Sequence, residues 1–190
     1  MCLLSVVAGP NGSGKSTLNS FIKLTETAHL IDPDAIAREM DPEQPSRVAI
    51  AAGREAILRC NRFIESRASF TLETTLAGHG AMRIMHDARN AGYRINMVYM
   101  ALDRPELHFQ RVRLRVSEGG HDVPPADIER RYHRSLLHAP EALRIADEGM
   151  VVDNAGPHPV IVALIERGVI LWRATTVPEW VQNIQAQLES

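Results

Sequence analysis

Short apolar runs alternate with amphipathic stretches over the first 153 residues of the chain. The apolar runs predict buried strands, at 3–8, 29–32, 70–74, 95–102 and 150–153. Apolar residues at helical spacing, bounded by proline or glycine, predict helices at 15–24, 33–40, 46–67, 80–90, 105–118 and 127–146. Because strands and helices alternate, we expect an α/β fold with a five-stranded, mainly parallel sheet flanked by helices.

The pattern changes after Gly156-Pro157. Residues 160–173 have two β-like halves around Arg167-Gly168, which predicts a β-hairpin, and 179–188 predicts a closing helix. A length of 190 residues is typical of one ordinary domain. We therefore expect a single domain over 1–190, with a core at 1–156 and a carboxyl-terminal extension at 157–190.

Composition and charge restrict the possible partners. The chain is 45% hydrophobic and 23% charged, which is typical of a soluble globular protein. No apolar run approaches the about 20 residues of a membrane span. The net charge of −2 offers no general attraction to nucleic acid or to an anionic membrane. We expect a cytoplasmic protein without a membrane partner, for which nucleic acid is a disfavoured partner and any polyanion site is local.

A glycine-rich segment joins the first predicted strand to the next helix and carries the most specific motif. It fits G-x-x-x-x-G-K-[S/T] with Gly9, Pro10, Asn11, Gly12, Ser13, Gly14, Lys15 and Ser16. Such a loop points backbone N–H groups inward at a helix N-terminus, where phosphate oxygens bind. Lys15, one of only two lysines, adds a point charge, and the Ser16 hydroxyl is placed to ligate Mg²⁺. We predict a P-loop NTPase fold that binds ATP and Mg²⁺ here, with Thr17 included in the site; a glycine-rich turn without a ligand is the alternative.

Other P-loop classes lack their signatures in this chain. A GTPase needs an N-K-x-D motif, which lysines at 15 and 23 do not provide, and no LSGGQ-like transporter signature is present. A motor-like ATPase needs a strand that ends in Asp-Glu, but the only such pair, Asp147-Glu148, falls at a predicted helix end. A compact phosphotransferase is the class that remains.

Acidic residues follow two of the predicted strands. Because the carboxyl ends of parallel strands face the same crevice as the loop, Asp32, Asp34 and Glu73 are candidates for chemistry. A hydroxyl acceptor needs a carboxylate that orients it and accepts its proton, and we assign Asp34 to this role. Glu73 and Thr75 could hold the acceptor. The alternatives are that Asp32 and Asp34 cap the next helix and that Glu73 is a solvated strand end.

A helical pair with many arginines is predicted over residues 104–135. On the first helix, helical spacing puts Arg104, His108, Arg111 and Arg115 on one stripe. The second helix begins near Glu129-Arg130-Arg131-Tyr132, after a loop that contains His121. Guanidinium groups bind phosphate oxygens bidentately, so the pair resembles a lid over phosphates. Ordinary surface charge paired with nearby acids is the alternative.

Taken together, these segments resemble the zeta toxin family of P-loop kinases over residues 3–156. The segments that carry the resemblance are G-P-N-G-S-G-K-S-T, I-D-P-D, L-E-T-T, R-V-R-L-R-V-S-E-G-G-H-D-V-P, R-R-Y-H-R-S-L and D-N-A-G. Members of the family phosphorylate UDP-N-acetylglucosamine from ATP and are held inactive by a small helical antitoxin. The resemblance implies the same kind of kinase reaction, acceptor and partner for this chain.

The resemblance also implies roles for individual residues. Lys15 and Ser16 would bind ATP phosphates and Mg²⁺, and Asp34 would be the base. Glu73 and Thr75 would contact the acceptor, and Arg111 or Arg115 would be the lid arginine. Asn154 would lie near the adenine, and His121 would take the place of a second lid arginine.

Other functions are compatible with the same motifs. A kinase of another small metabolite would have a similar sequence, and so would a polynucleotide or RNA-end kinase, although the balanced charge disfavours the latter. A nucleotide-dependent binding module without transfer activity is the alternative from a different class.

Overall fold

The computed structural model describes residues 1–17, 29–120 and 122–190. Residues 15–17 are helical, and the remainder of the helix predicted at 15–24 lies outside the described residues. His121 also lies outside them.

A seven-stranded sheet forms the centre of the molecule. Its strands are β1 (Leu3–Ala8), β2 (Leu30–Ile31), β3 (Phe70–Thr74), β4 (Arg94–Ala101), β5 (Glu148–Asp153), β6 (Val160–Glu166) and β7 (Val169–Arg173). The spatial order is β2-β3-β1-β4-β5-β6-β7. The first five strands in this order pair in parallel, and β6 and β7 add antiparallel pairs beyond β5.

The α/β fold and the parallel five-stranded part are confirmed, but the sheet has seven strands rather than five. The predicted hairpin, β6–β7, continues the same sheet because β6 pairs along the whole of β5, from Glu148 opposite Glu166 to Asp153 opposite Val160. This pairing satisfies backbone groups of β5 that would otherwise form an open edge.

Six helices flank the sheet in the described ranges, besides the first turn after the loop. They are α1 (Pro33–Met40), α2 (Ala49–Glu65), α3 (Gly80–Asn90), α4 (Pro105–Ser117), α5 (Pro125–Ile145) and α6 (Glu179–Glu189). The helix predicted at 46–67 is shorter, because its first residues form a 3-10 turn at Pro45–Val48. The strand predicted at 29–32 is also shorter, because Asp32 caps α1 instead of extending β2.

The core lies on both faces of the parallel strands. Leu4, Phe70, Ile95 and Tyr99 on the strands are fully buried. Trp180 of α6 packs near Tyr99, with 6.1 Å between ring centroids, so the carboxyl-terminal helix belongs to the core. Within the described ranges, no helix has the length and apolar character needed to cross a membrane. With the sheet held in this way, the carboxyl ends of β1, β2 and β3 lie at one edge.

Candidate active site

The loop after β1 has a backbone that only glycine accommodates at three positions. Gly9, Gly12 and Gly14 have φ values of 147°, 74° and 100°. A Cβ atom at Gly9 would lie 1.9 Å from the carbonyl oxygen of Met100, and one at Gly14 would lie 2.4 Å from Nδ2 of Asn154. The neighbouring strand and loop therefore approach the loop too closely for any side chain there.

Lys15 is buried at the base of this loop. Its Nζ donates hydrogen bonds to the carbonyl oxygens of Gly9 at 2.8 Å and Pro10 at 3.2 Å. Burial lowers the pKa of Lys15, while the nearby carboxylates of Glu73 and Asp34 raise it. The lysine is thus the positive centre of an acidic surrounding and is held by the loop's own carbonyls.

Three acids converge with Lys15 at the carboxyl edge of the sheet. Asp32, Asp34 and Glu73 line one cavity of about 160 Å³ with Lys15. Ser16 donates a hydrogen bond from its hydroxyl to Oε1 of Glu73 at 3.1 Å. Burial raises the pKa of Glu73, opposed by the charge of Lys15 and by the hydrogen bond from Ser16. The cavity therefore combines a cation, carboxylates and a hydroxyl within one small space.

Asp32 and Asp34 differ in what their side chains contact. Asp32 accepts a hydrogen bond from the backbone N–H of Asp34 at 2.9 Å and lies 3.6 Å from Arg38, so it caps α1 as the alternative interpretation proposed. Burial raises the pKa of Asp32, and the charge of Asp34 acts in the same direction. The Asp34 carboxylate instead accepts from Nδ2 of Asn11 at 3.4 Å, which directs it towards the loop.

The turn after β3 presents Thr75 to the same cavity. Leu76 has a left-handed φ of 56° and is fully buried, and its backbone N–H donates to Oγ1 of Thr74 at 3.0 Å. The carbonyl of Leu76 also contacts Nδ1 of the buried His138 at 2.9 Å. These contacts fix the turn, so that Thr75 lies beside Glu73 at the cavity wall.

His108 lies one helical turn before Arg111 on α4, as the helical spacing predicts, but its environment differs from that of the arginines. Its side chain is fully buried between β4 and the loop. The backbone N–H of Leu102 donates to Nε2 at 3.2 Å, so the proton is on Nδ1, which donates to the carbonyl of Asn11 at 2.7 Å. Burial lowers the pKa of His108 to about 4. A neutral histidine therefore connects α4 to the phosphate loop.

The predicted lid arginines have different surroundings. Arg111 donates from Nη2 to the carbonyl of Asn154 at 2.6 Å, and the Asn154 side chain donates to the carbonyl of Ser13 at 2.8 Å. Arg115 is exposed on α4, and its positive charge adds to the effect of burial in lowering the pKa of Lys15. Arg111 and Asn154 thus form a chain of hydrogen bonds that ends at the Ser13 carbonyl of the loop, whereas Arg115 acts on Lys15 through its charge.

Arg131 is a site residue that the sequence analysis did not assign, and it contacts Asn11 of the predicted loop. Arg131, on α5, lines the cavity and donates from Nη1 to Oδ1 of Asn11 at 3.0 Å. Asn11 therefore contacts α1, α4 and α5 through Asp34, His108 and Arg131. The segment R-R-Y-H-R-S-L indicates that an arginine of this helix belongs to the site, but the sequence alone does not distinguish Arg131 from Arg130.

A phosphate-binding loop, a carboxylate cluster at the edge of a parallel sheet and arginine-bearing helices define a phosphotransferase of the P-loop kinase class. The Zeta toxin family model matches residues 3–156, and the chain belongs to that family.

One known protein is similar to this chain in sequence, and two solved structures are similar to it in fold. An uncharacterised protein of Haemophilus influenzae is 36% identical over 124 residues, which cover 65% of this chain and 88% of that protein. A chain of the AvrRxo1-ORF1:-ORF2 complex, solved with ATP, has a TM-score of 0.69 at 14% identity over 100% of this chain and 76% of that chain. A chain of the PezAT chromosomal toxin–antitoxin system of Streptococcus pneumoniae has a TM-score of 0.61 at 14% identity over 100% of this chain and 86% of that chain. The two structures share the fold with this protein.

Proposed function

We propose that the protein transfers the γ-phosphoryl group of ATP to a hydroxyl of a nucleotide sugar such as UDP-N-acetylglucosamine. The observation that carries the proposal is the single cavity in which Lys15, Asp34 and Glu73 meet beside the phosphate loop. A cation next to a glycine-rich loop suits the binding of phosphates, and a carboxylate in the same cavity suits the orientation and deprotonation of a hydroxyl.

The residues present fit ATP and Mg²⁺. Ser16 and Glu73 offer oxygen ligands of the kind Mg²⁺ prefers, and we assign Ser16 as the protein ligand of the ion. Among the described residues, no three His, Cys, Asp or Glu side chains are arranged to hold a metal, so phosphate oxygens would supply the other ligands. The Ser13 hydroxyl is buried without a hydrogen-bond partner in the described part of the chain, which leaves a polar group free inside the loop. When bound, Mg²⁺ would neutralise charge on the phosphates.

In the proposed reaction, Asp34 accepts the proton of the acceptor hydroxyl. The hydroxyl oxygen forms a bond to the γ-phosphorus, the bond from that phosphorus to the β-phosphate oxygen breaks, and ADP leaves. Lys15 exchanges its contacts with the carbonyls of Gly9 and Pro10 for phosphate oxygens. Glu73 and Thr75 hold the acceptor beside the base.

Residues 104–135 serve as the lid of a single domain in this proposal. Arg111 or Arg115, both on α4, serves as the lid arginine. Arg131 already lines the cavity and would contact phosphate or acceptor. Asn154 contacts the adenine while bracing the loop, and His121 contacts the acceptor. We also propose a cytoplasmic location and a small helical antitoxin as partner, by analogy with the PezAT system.

The test is to incubate the protein with γ-labelled ATP and a panel of UDP-sugars, dinucleotides and oligonucleotides. Label in a UDP-sugar supports the proposal, and label only in oligonucleotides or in no acceptor overturns it. Asp34→Asn should lower transfer by about a hundredfold or more with ATP binding retained, since a positioned base contributes on this scale. Glu39→Gln, an exposed carboxylate on the same helix, is the matched control and should keep full activity.

A further inference from the structure

A second cavity, of about 320 Å³, lies between α2, α3 and the end of β3. It adjoins the cavity that holds Asp34 and Glu73, and the two share Pro33, Thr74 and Thr75 as wall residues. The two cavities are therefore direct neighbours, with these three residues at their common boundary. We name the second cavity the apolar pocket.

The apolar pocket differs from the first cavity in chemistry. Its wall is formed mainly by hydrocarbon side chains, among them Ile57, Leu72, Ala81 and Ile84. Cys60 is also in the wall, and burial raises the pKa of its thiol to about 12, so it is present as the neutral thiol. Arg54 is the one charged residue among the described residues that line the pocket. Such a wall binds an uncharged apolar or aromatic surface and disfavours a hydrated sugar hydroxyl.

We propose that the apolar pocket is the acceptor's second subsite and binds an uncharged, apolar-faced group that is part of the same molecule as the reacting hydroxyl. The inference rests on the proposed function, in which the neighbouring cavity with Asp34 and Glu73 is the site of the kinase reaction. It deepens that proposal, because it requires an acceptor with two chemically different parts. A nucleobase and an acyl chain are the two sources of such a group.

Gly53 offers a way to fill the pocket without disturbing the fold. It lies in the second turn of α2 and lines the pocket. Its φ is not in the left-handed region, and a Cβ there would meet no heavy atom within 4 Å. Gly53→Leu should project a side chain into the pocket, and its melting temperature should be equal to or higher than that of the wild type, because glycine in a helix interior is unfavourable. Ala51→Leu adds the same side chain on the same helix at an exposed position outside the pocket and is the matched control.

The first measurement is binding of two neutral probes, uridine and hexanamide, by ligand-detected NMR. We expect at least one probe to bind to the wild type and to Ala51→Leu, and to lose binding in Gly53→Leu; the probe that binds identifies the source of the group. Binding by Gly53→Leu equal to that of the wild type overturns the proposal. Absence of binding of both probes to the wild type at millimolar concentration also overturns it.

The second measurement is steady-state kinetics with UDP-N-acetylglucosamine. Gly53→Leu should raise KM for the acceptor by about tenfold or more, with KM for ATP unchanged, since filling an apolar pocket produces discrimination of that size. Transfer by Gly53→Leu with the wild-type acceptor KM overturns the proposal while the kinase reaction stands. If the wild type phosphorylates no acceptor, the proposed function fails, and the binding of the neutral probes alone decides whether the pocket is a binding site.

Discussion

The buried histidine between α4 and the phosphate loop should make the stability of the protein depend on pH. His108 has a pKa of about 4 in the folded protein, against an ordinary value near 6.5. Because its pKa is lower in the folded protein, His108 takes up a proton more readily when the chain unfolds. Its contribution to the free energy of unfolding is therefore complete above pH 6.5 and is lost as the pH falls towards 4. The difference between the two pKa values corresponds to about 3 kcal/mol of unfolding free energy over that range.

A variant that keeps the hydrogen bonds but does not titrate isolates this contribution. In His108→Gln, the amide oxygen can accept from Leu102 N–H and the amide nitrogen can donate to the carbonyl of Asn11, replacing both contacts of the ring. The variant itself should be less stable at pH 7.5 by about 1–2 kcal/mol, because an amide fills the ring's space incompletely. His133→Gln, an exposed histidine on α5, is the control.

The assay is urea unfolding of the wild type and both variants at pH 7.5, 6.5, 5.5 and 4.5. Acids elsewhere titrate equally in all three proteins, so only the difference between the wild type and His108→Gln carries the histidine contribution. We expect this difference to shrink, and then to reverse in sign, as the pH is lowered. Parallel pH profiles for the wild type and His108→Gln would refute the assignment of a buried neutral histidine.

Gly9→Ala should destabilise the protein by several kcal/mol or prevent folding, because its Cβ would lie 1.9 Å from the Met100 carbonyl oxygen. Gly53→Ala should instead stabilise the protein by about 1 kcal/mol, because its Cβ meets no neighbouring atom and alanine is favoured over glycine in a helix. Thermal unfolding of both variants tests this contrast, and equal effects would contradict it. Glu73→Gln should stabilise the ligand-free protein at pH 8, because burial raises the pKa of Glu73 and the stability it contributes is lost as the pH rises through that value. The same variant should lower transfer to the acceptor; an increase in unfolding free energy accompanied by full activity would remove Glu73 from the proposed site.

The parts of the fold that follow from local pattern could be predicted from the sequence. Strand β1, the glycine loop and helix α1 each have their own signal within about ten residues: a β-branched run, a spaced glycine motif and a proline at the first helical position. The meeting of Asp34 and Glu73 also followed, because parallel strands place their carboxyl ends at one edge.

Features that depend on pairing between distant segments could not be predicted. The hairpin at 160–173 was expected from its own sequence, but its pairing with β5 is decided by which sheet edge lies nearby in space. For His108, helical spacing places it equally near Arg111 and Val112, and only the packing of α4 on the loop determines that it is buried. The apolar pocket had no sequence signal, since its wall comes from α2, α3 and β3 together.

Asn11 gives the phosphate loop an unusual degree of mechanical connection to its surroundings. Its backbone carbonyl accepts a hydrogen bond from His108 and its side-chain oxygen accepts one from Arg131. Its side-chain nitrogen donates a hydrogen bond to Asp34. One asparagine thereby links the loop to three helices that are distant in the chain. A change of side-chain volume at position 11 would therefore displace Asp34, helix α4 and Arg131 at the same time. Their separate effects on catalysis could not be measured by mutating Asn11 alone.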